Sequence, residues 1–546
     1  MPIGGSRLRK ASLVQQPSTS PRNDLPRAAL FSLIYLALVT SLGYLSFSGW
    51  AYDDPYITYR YAENLRHGLG FVYNPGERVL STTTPLFTLL LTLLGYLWSD
   101  LPRLANLIGA FCLGLGGLAL WDMAHSLGKP WAGWAGLLLY PTFPLLLTTL
   151  GSEILLYLAL CLGAFAFYLR RRYLTTALCT ALAVLTRPDG ALVALIWMGD
   201  YLVRTLHQRP WSSLRLDRIK LRALLPWRSV IVLALLVLPW SLFAWAYFGS
   251  PLPATLAAKQ HQGAMAISQR FAVGMLTIAG YYAARWHYWA EALLAVLGLA
   301  WMIWRGRTWL LLIGWTILYF LSYSLLGVSR YYWYYAPLVP GFLLAVGLGT
   351  WVIGAGVQKS FPRSFKSFSS HQANRIALIV PLLMIALLAC FQVGDLWRIR
   401  QRPDHRYRVY RAVGEWLRAN ASPQERVGAL EVGIIGYYAR NPMVDFAGLI
   451  QPAIARQLGN QTTYEDAALY AVEYEQIDYL VLQEGVFPRL EASFVQQNCT
   501  PLRIFSGEDY GFSADLTIYA CRRGSSRDVI EQGNVKASSR ELLLTP

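Results

Sequence analysis

The sequence predicts a mostly α-helical protein that crosses a membrane about eleven times and carries a small α/β domain near its C-terminus. Hydrophobic residues make up 55% of the 546 residues, charged residues only 14%, and the mean hydropathy is +0.35. A soluble domain carries roughly a quarter charged residues. Basic residues bunch in short loops between apolar runs, which is typical of cytoplasmic loops, so the net charge of +17 indicates no nucleic-acid partner.

The apolar runs are near the length that a bilayer crossing needs, or somewhat shorter. Residues 1–28 are basic, and no small-residue cleavage pattern follows the first run, so we expect an uncleaved first span with a cytoplasmic N-terminus. Residues 85–98 are predicted to lie as a helix in the outer interface. The predicted crossings are 29–49, 104–126, 131–150, 153–169, 173–187, 190–205, 229–249, 288–304, 309–327, 335–357 and 376–394.

The charged loops test this topology. With these crossings the basic stretches Arg170–Arg172, 203–228, Arg305–Arg307 and 359–375 all face the cytoplasm, as the positive-inside rule requires. An odd number of crossings then puts the C-terminal region outside. Cys499 and Cys521 lie in that region, where an oxidising compartment permits a disulfide that spacing alone does not establish.

The C-terminal region has the pattern of a soluble α/β domain. Apolar residues at helical spacing predict a helix over 407–419, and strand-like runs follow at 427–431, 479–482 and 516–521. The predicted domains are a basic N-terminus (1–28), a transmembrane domain (29–394), an external α/β domain (395–523) and a disordered tail (524–546).

Two adjacent carboxylates, Asp53 and Asp54, directly follow the first span and so lie at one face of the membrane. Asp54 before Pro55 is a natural helix N-cap with proline in the first helical position. That role leaves Asp53 unassigned. A partly desolvated carboxylate near Tyr52 and Tyr56 suits a general base, because desolvation raises its pKa. We predict Asp53, with Asp54 beside it, as catalytic, and the two tyrosines as substrate-binding.

Further acidic groups are expected at the same face. Glu153 lies in the turn after the third predicted span, where it either sits in a helix first turn capped by Ser152 or acts in the site. In the site it would orient a substrate hydroxyl or, with Asp54, hold a divalent cation (Mg, Mn or Ca). Asp189, in a proline–glycine turn with Arg187, either pairs with that arginine or contacts substrate.

External cations run against the positive-inside trend. Lys259 and Arg330 are predicted outside, and their alternative role is to snorkel within an interfacial aromatic belt. We predict that these two residues, together with Arg187, bind a phosphate at the membrane surface. We also predict that His261, two residues after Lys259, binds substrate. No histidine has the spacing of a metal ligand.

Carboxylates and cations at the outer face suit transfer of a group from a lipid-linked phosphate to a hydroxyl. The chain has no Walker loop, no glycine-rich dinucleotide turn and no HExxH or CxxC pair, so a soluble nucleotide donor has no evident site. The rival hypothesis is a transporter or flippase of a lipid-linked sugar, which would carry inverted repeats and midplane charges. A third hypothesis is a receptor-like sensor with an external domain.

Several stretches together resemble the GT-C membrane glycosyltransferases, most closely the terminal arabinofuranosyltransferase branch and its bacterial relatives. The resemblance extends over about residues 29–450. The stretches that carry it are Asp53–Ala62 (DDPYITYRYA), Phe71–Glu77 (FVYNPGE), Thr82–Leu86 (TTTPL), Thr186–Gly190 (TRPDG) and Gly249–Pro253 (GSPLP), with Val432–Tyr438 and Val444–Leu449 in the C-terminal domain.

The resemblance implies a GT-C-like fold in a bacterial plasma membrane and a polyprenyl-phosphate sugar donor. It also implies inversion at the anomeric carbon, Asp53 or Asp54 as base, and Glu153 at the second acidic position. The acceptor would be a hydroxyl of a cell-envelope glycan or lipid, held with help from the external domain. Transfer to lipid A or to protein serine or threonine stays open within the enzyme class.

Overall fold

The computed structural model describes residues 25–207, 226–360 and 370–522. The predicted loop 203–228, the loop 359–375, most of the N-terminus 1–28 and the tail 524–546 lie partly or wholly outside the described residues. The chain folds as a helical part followed by a small α/β part, which confirms the predicted fold class.

The helical part contains sixteen α-helices in the described residues. They are α1 (Leu25–Phe47), α2 (Asp54–Arg66), α3 (Pro85–Gly95), α4 (Leu101–Ser126), α5 (Gly133–Leu138), α6 (Pro144–Leu147), α7 (Ile154–Leu169), α8 (Tyr173–Thr186), α9 (Ala191–His207), α10 (Trp227–Phe248), α11 (Ala254–Ala264), α12 (Phe271–Ala283), α13 (Trp286–Arg305), α14 (Leu310–Leu326), α15 (Val339–Ser360) and α16 (Ser370–Arg400). Short 3₁₀ turns lie at Pro130–Ala132, Pro188–Gly190, Arg307–Trp309 and Tyr332–Leu338.

Six stretches of the described chain are long and apolar enough to cross a membrane: Pro26–Phe47, Leu101–Ser126, Trp227–Phe248, Trp286–Arg305, Tyr332–Gln358 and Ile379–Arg400. Five shorter apolar helices accompany them: α3, α7, α8, α12 and α14. The chain is therefore a multi-pass membrane protein. Ten of the eleven predicted crossings coincide with helices, and the apolar run 85–98 forms the short helix α3.

The predicted crossing at 131–150 is not one continuous helix. This stretch is broken into a 3₁₀ turn and the short helices α5 and α6, because Pro141 and Pro144 cannot donate the backbone hydrogen bonds that a continuous helix needs. Conversely, α12 is an apolar helix that the sequence analysis left unassigned, and its 13 residues are fewer than a perpendicular crossing requires.

The α/β part follows α16, which continues to Arg400. Its sheet has five strands: β1 (Val427–Ala429), β2 (Met443–Asp445), β3 (Tyr479–Gln483), β4 (Cys499–Phe505) and β5 (Leu516–Cys521). Their spatial order is β2-β1-β3-β5-β4. The first three strands in this order are parallel to one another, and β5 is antiparallel to both of its neighbours, β3 and β4. Cys499 and Cys521 face each other across β4 and β5 and form a disulfide. The helices of this part are α17 (Arg406–Asn420), α18 (Gly433–Ala439), α19 (Pro452–Ala455), α20 (Tyr464–Tyr474), α21 (Pro488–Leu490), α22 (Gln496–Asn498) and α23 (Gly507–Tyr510).

The α/β part docks on the segment between α1 and α3 through buried polar contacts. The Arg60 guanidinium donates hydrogen bonds to the backbone oxygens of Gly436, Arg440 and Asn441 at the end of α18. The Asn74 side chain exchanges two hydrogen bonds with the backbone of Met443, at 2.9 Å each. The contacts to Arg440 and Asn441 satisfy backbone oxygens just beyond the last residue of α18, and all of these contacts fix α2 against the sheet.

Candidate active site

A cavity of about 310 Å³ lies where the N-terminus of α2 meets α11 and the turns before α7 and α9. Its floor and walls carry five ionisable side chains, Asp54, Glu153, Arg187, Asp189 and Lys259, which come from four separate stretches of sequence. Aromatic rings and threonine hydroxyls complete the lining: Tyr52, Tyr323, Trp333, Tyr334, Thr58, Thr82, Thr83 and Thr84.

Asp54 and Lys259 form an ion pair at the cavity, with 3.2 Å between Oδ2 and Nζ. The ammonium also lies 3.6 Å from the ring centroid of Tyr331. Burial lowers the pKa of Lys259, but the Asp54 carboxylate outweighs it and leaves that pKa above its ordinary value. Lys259 is 7% exposed and Asp54 31%, so the lysine is held in place while the carboxylate stays open to the cavity.

Arg187 joins the two other acids of the cavity. Its Nη1 donates to Glu153 Oε1 at 2.7 Å, and its Nη2 lies 3.2 Å from Asp189 Oδ2. The Tyr323 hydroxyl accepts from Arg187 and donates to Asp189, both at 2.6 Å. The pairing expected between Arg187 and Asp189 is present, and Glu153, at the N-cap position of α7, joins it. The guanidinium is therefore fixed at the cavity wall.

Asp53 does not line the cavity. Its carboxylate accepts hydrogen bonds from the backbone N–H of Gly433, at 2.8 Å, and of Ile434, at 2.7 Å, in the first turn of α18. Burial raises the pKa of Asp53 to about 6, although those two N–H groups lower it. The expected N-cap is also shifted by one residue, because α2 begins at Asp54 and Asp53 occupies the cap position without capping it.

Three more of the predicted site residues lie away from the cavity. Tyr56 packs among Tyr59 and Tyr437, because two helical steps from Asp54 turn it to the opposite side of α2. His261 is turned from Lys259 in the same way, and its Nδ1 lies 3.1 Å from the backbone oxygen of Leu458. Arg330 is exposed, with its side chain running along Gly274. Tyr52 does line the cavity, and its ring lies 5.3 Å from that of Trp333.

Sequence reasoning left the threonines and the aromatic wall unassigned. The hydroxyls of Thr58, Thr82 and Thr84 lie 3.0–3.4 Å from one another, on one side of the cavity. The run of three threonines before Pro85 was a signal that could have found them, because adjacent hydroxyls beside a helix start are unusual in an apolar chain.

The donor set does not fit a divalent cation held by Asp54 and Glu153. Each carboxylate already has a buried cationic partner, Lys259 for Asp54 and Arg187 for Glu153. In the part of the chain that the structure describes, no three His, Cys, Asp or Glu side chains come together as metal ligands. A cation with carboxylate ligands needs several converging oxygens that are free of other charges.

An apolar groove adjoins the cavity. Its volume is about 570 Å³, and its lining has few polar atoms. Pro85 and Leu185 in its wall are one and two residues away from Thr84 and Arg187 of the cavity. The groove is lined by Leu65, Gly70, Phe71, Pro85, Leu86, Leu89, Leu185, Leu236, Pro239, Trp240, Phe243 and Tyr247.

At the sequence level, residues 398–526 match a family described as "Domain of unknown function (DUF8728)". Comparison of the chain with curated proteins finds no match.

Solved structures give the fold. ArnT from Cupriavidus metallidurans in the apo state superposes with a TM-score of 0.59 at 15% identity, over 90% of this chain and 98% of that one. The same protein bound to undecaprenyl phosphate gives 0.53 at 16% identity, with the same coverage. The archaeal oligosaccharyltransferase AglB from Archaeoglobus fulgidus, in complex with an inhibitory peptide and a dolichol-phosphate, gives 0.54 at 14%, over 91% of this chain and 75% of that one. The chain therefore shares its fold with ArnT and AglB.

Proposed function

We propose that this protein is a membrane glycosyltransferase that moves a sugar from a polyprenyl-phosphate donor to a hydroxyl group of a cell-envelope glycan or lipid. The observation that carries the proposal is the ion pair between Asp54 and Lys259 in a polar cavity beside an apolar groove. A lipid-phosphate sugar needs all three features: cations for the phosphate, a base for the acceptor, and an apolar surface for the chain.

Lys259 and Arg187 are the donor-phosphate ligands in this proposal. Both are buried at the cavity wall, where hydrogen bonds from charged donors to phosphate oxygens are strong. The prenyl chain would occupy the apolar groove beside the cavity, which we therefore refer to as the donor-side groove. Similar proteins support this assignment, because structures of the same fold hold undecaprenyl phosphate and dolichol-phosphate. Arg330, which was predicted to join the two cations, is too far around the surface to line the cavity and is left out.

Asp54 is the proposed general base. Its carboxylate takes the proton of the acceptor hydroxyl as the oxygen bonds to the anomeric carbon, and the bond between that carbon and the phosphate oxygen breaks. The phosphate leaves with the electron pair and gains negative charge, which Lys259 and Arg187 stabilise. Glu153 and Asp189 keep Arg187 oriented. Attack from the side opposite the phosphate inverts the anomeric carbon.

The donor sugar is proposed to be a hexose or a pentose. The Cys499–Cys521 disulfide suits an external α/β domain, since disulfides persist in oxidising compartments. Because the cavity acids are paired with cations, transfer is expected to continue when EDTA is added to the purified protein. Loss of transfer in EDTA, restored by Mg²⁺ or Mn²⁺, would contradict this assignment.

The decisive experiment compares Asp54→Asn and Asp53→Asn in purified protein supplied with a panel of undecaprenyl-phosphate sugars. We expect Asp54→Asn to lower transfer about 10²–10⁴-fold, the contribution typical of a general base, while undecaprenyl phosphate still binds. Normal turnover in Asp54→Asn would remove the base assignment. Translocation of the lipid-linked sugar across vesicles without transfer would instead support the flippase alternative.

A further inference from the structure

A second apolar depression, which we refer to as the acceptor-side furrow, reaches the cavity from the other side. It consists of two contiguous hollows of about 280 Å³ and 330 Å³ that share Leu145, Ile278 and Tyr282. The upper hollow is bounded by Tyr52, which also lines the polar cavity. Tyr52 is buried, and Tyr332 and Trp333 pack on it with ring centroids at 5.6 and 5.3 Å.

The furrow suits a hydrocarbon chain. Its lower hollow exposes almost no polar surface and is walled by α12, α13 and the start of α15. Contacting rings run along it, with 5.4 Å between Phe143 and Tyr282 and 6.3 Å between Phe143 and Phe342. Trp289 at its edge is 63% exposed, so the furrow opens on an apolar face of helices in a membrane protein.

The donor and this furrow use different walls. The donor-side groove is formed by α3, α8 and α10, whereas the furrow is formed by α12, α13 and α15, and the two share no lining residue. A chain in the furrow would bring its polar end to Tyr52, on the side of the cavity away from that groove. That is where a second substrate must present its hydroxyl to Asp54.

We propose that the acceptor is itself a lipid-anchored sugar, whose apolar chain lies in the acceptor-side furrow while its hydroxyl passes Tyr52 into the cavity. This inference rests on the proposed function and adds the class of acceptor: a glycolipid, not a soluble glycan or a protein side chain.

The test uses purified full-length protein in nanodiscs and a hexadecyl β-galactoside that carries a diazirine in the middle of its chain. After irradiation, labelled peptides are mapped by mass spectrometry, with and without excess undecaprenyl phosphate. We expect labelling to concentrate on α12, α13 and the start of α15, and to persist in the presence of undecaprenyl phosphate.

Variants provide the control. Ala292→Trp and Ala279→Trp fill the furrow from two different helices and are expected to reduce this labelling about tenfold. Leu293→Trp adds the same ring at the neighbouring exposed position outside the furrow and should leave it unchanged.

Labelling spread evenly over the apolar surface, or equal in all three variants, would mean bulk lipid only and would overturn the proposal. Competition by undecaprenyl phosphate would also overturn it, because the furrow would then hold the donor chain. Failure of the proposed function is distinguishable from both outcomes: undecaprenyl phosphate would then show no binding that depends on Lys259, wherever the galactoside labels.

Discussion

Asp53 and Asp54 are neighbours in sequence but have opposite surroundings. Asp53 is buried and bound to the backbone of α18, whereas Asp54 is open to the cavity and paired with Lys259. The backbone bonds that hold Asp53 also hold the start of α2, so Asp53 fixes the position from which Asp54 points. The residue that the sequence analysis favoured as base is therefore proposed as the positioning residue for its neighbour.

The protonation of Asp53 should make stability depend on pH. Burial raises its pKa to about 6 in the folded protein, against about 4 in an unfolded chain. The folded state thus holds this proton more tightly, so the stabilisation is complete below about pH 4 and is lost as the pH rises through about 6. We expect the wild-type Tm to exceed that of Asp53→Asn by more at low than at neutral pH. A difference that grows towards neutral pH would contradict the assignment.

Lys259 offers a direct test of the donor site. Replacing it with glutamine removes a buried charge-assisted donor worth about 1.5–3 kcal/mol, so the affinity for undecaprenyl phosphate should fall roughly 10- to 100-fold. Arg330→Gln is the matched control, since it removes a cation whose side chain lies outside the cavity lining. The affinity is measured by microscale thermophoresis. An equal loss of affinity in the two variants would mean that the phosphate does not bind at Lys259.

At the scale of elements, the junction between α2 and α18 holds the α/β part on the helical part. Gly433 is the residue that lets them approach, because a Cβ there would lie 2.0 Å from the backbone oxygen of Asp53. Arg60 lies further along α2, is buried, and donates hydrogen bonds to backbone oxygens at the other end of α18. Both contacts join residues more than 370 positions apart, so local sequence patterns carry no trace of them.

Arg60→Met should loosen this junction. The substitution keeps much of the apolar stem but removes the donor from the backbone oxygens of Arg440 and Asn441, at about 1–3 kcal/mol for each. We expect a lower Tm and faster proteolysis between α16 and α17. Arg440→Gln is the control, because its side chain is 51% exposed and its ion pair with Glu63 should contribute little. Equal destabilisation by the two variants would argue against the junction.

The sequence largely predicts where helices occur, but it does not predict whether an apolar run forms one unbroken helix. Runs such as 104–126 and 229–249 are apolar throughout and became α4 and α10 within a few residues. The run at 131–150 is equally apolar, but its prolines break it. Hydropathy averages over a window and so ignores the missing N–H of a proline.

At the scale of the whole molecule, the polar cavity lies between two apolar surfaces, the donor-side groove and the acceptor-side furrow. The proposed reaction needs the cavity on the non-cytoplasmic side, with the α/β part over it. We therefore predict that a cysteine at Tyr474, which is 65% exposed in α20, reacts with a membrane-impermeant maleimide on intact spheroplasts.

Arg305→Cys, at the end of α13 in a predicted cytoplasmic loop, provides the comparison and should react only after permeabilisation. The opposite pattern, or equal labelling of the two positions, would invert the topology and with it the side on which the sugar is transferred.

The sequence by itself determined that this is a membrane protein, because so many apolar residues, with basic residues confined to short loops, require a lipid environment. It also supplied the stretches that carry Asp54, Glu153, Arg187 and Lys259. Only the tertiary structure decided which partners meet: Lys259 with Asp54 across 205 positions, Arg187 with Glu153, and Asp53 with α18. The physical reason is that neighbouring side chains on a helix point about 100° apart, so burial and function at each position depend on what packs there from distant parts of the chain.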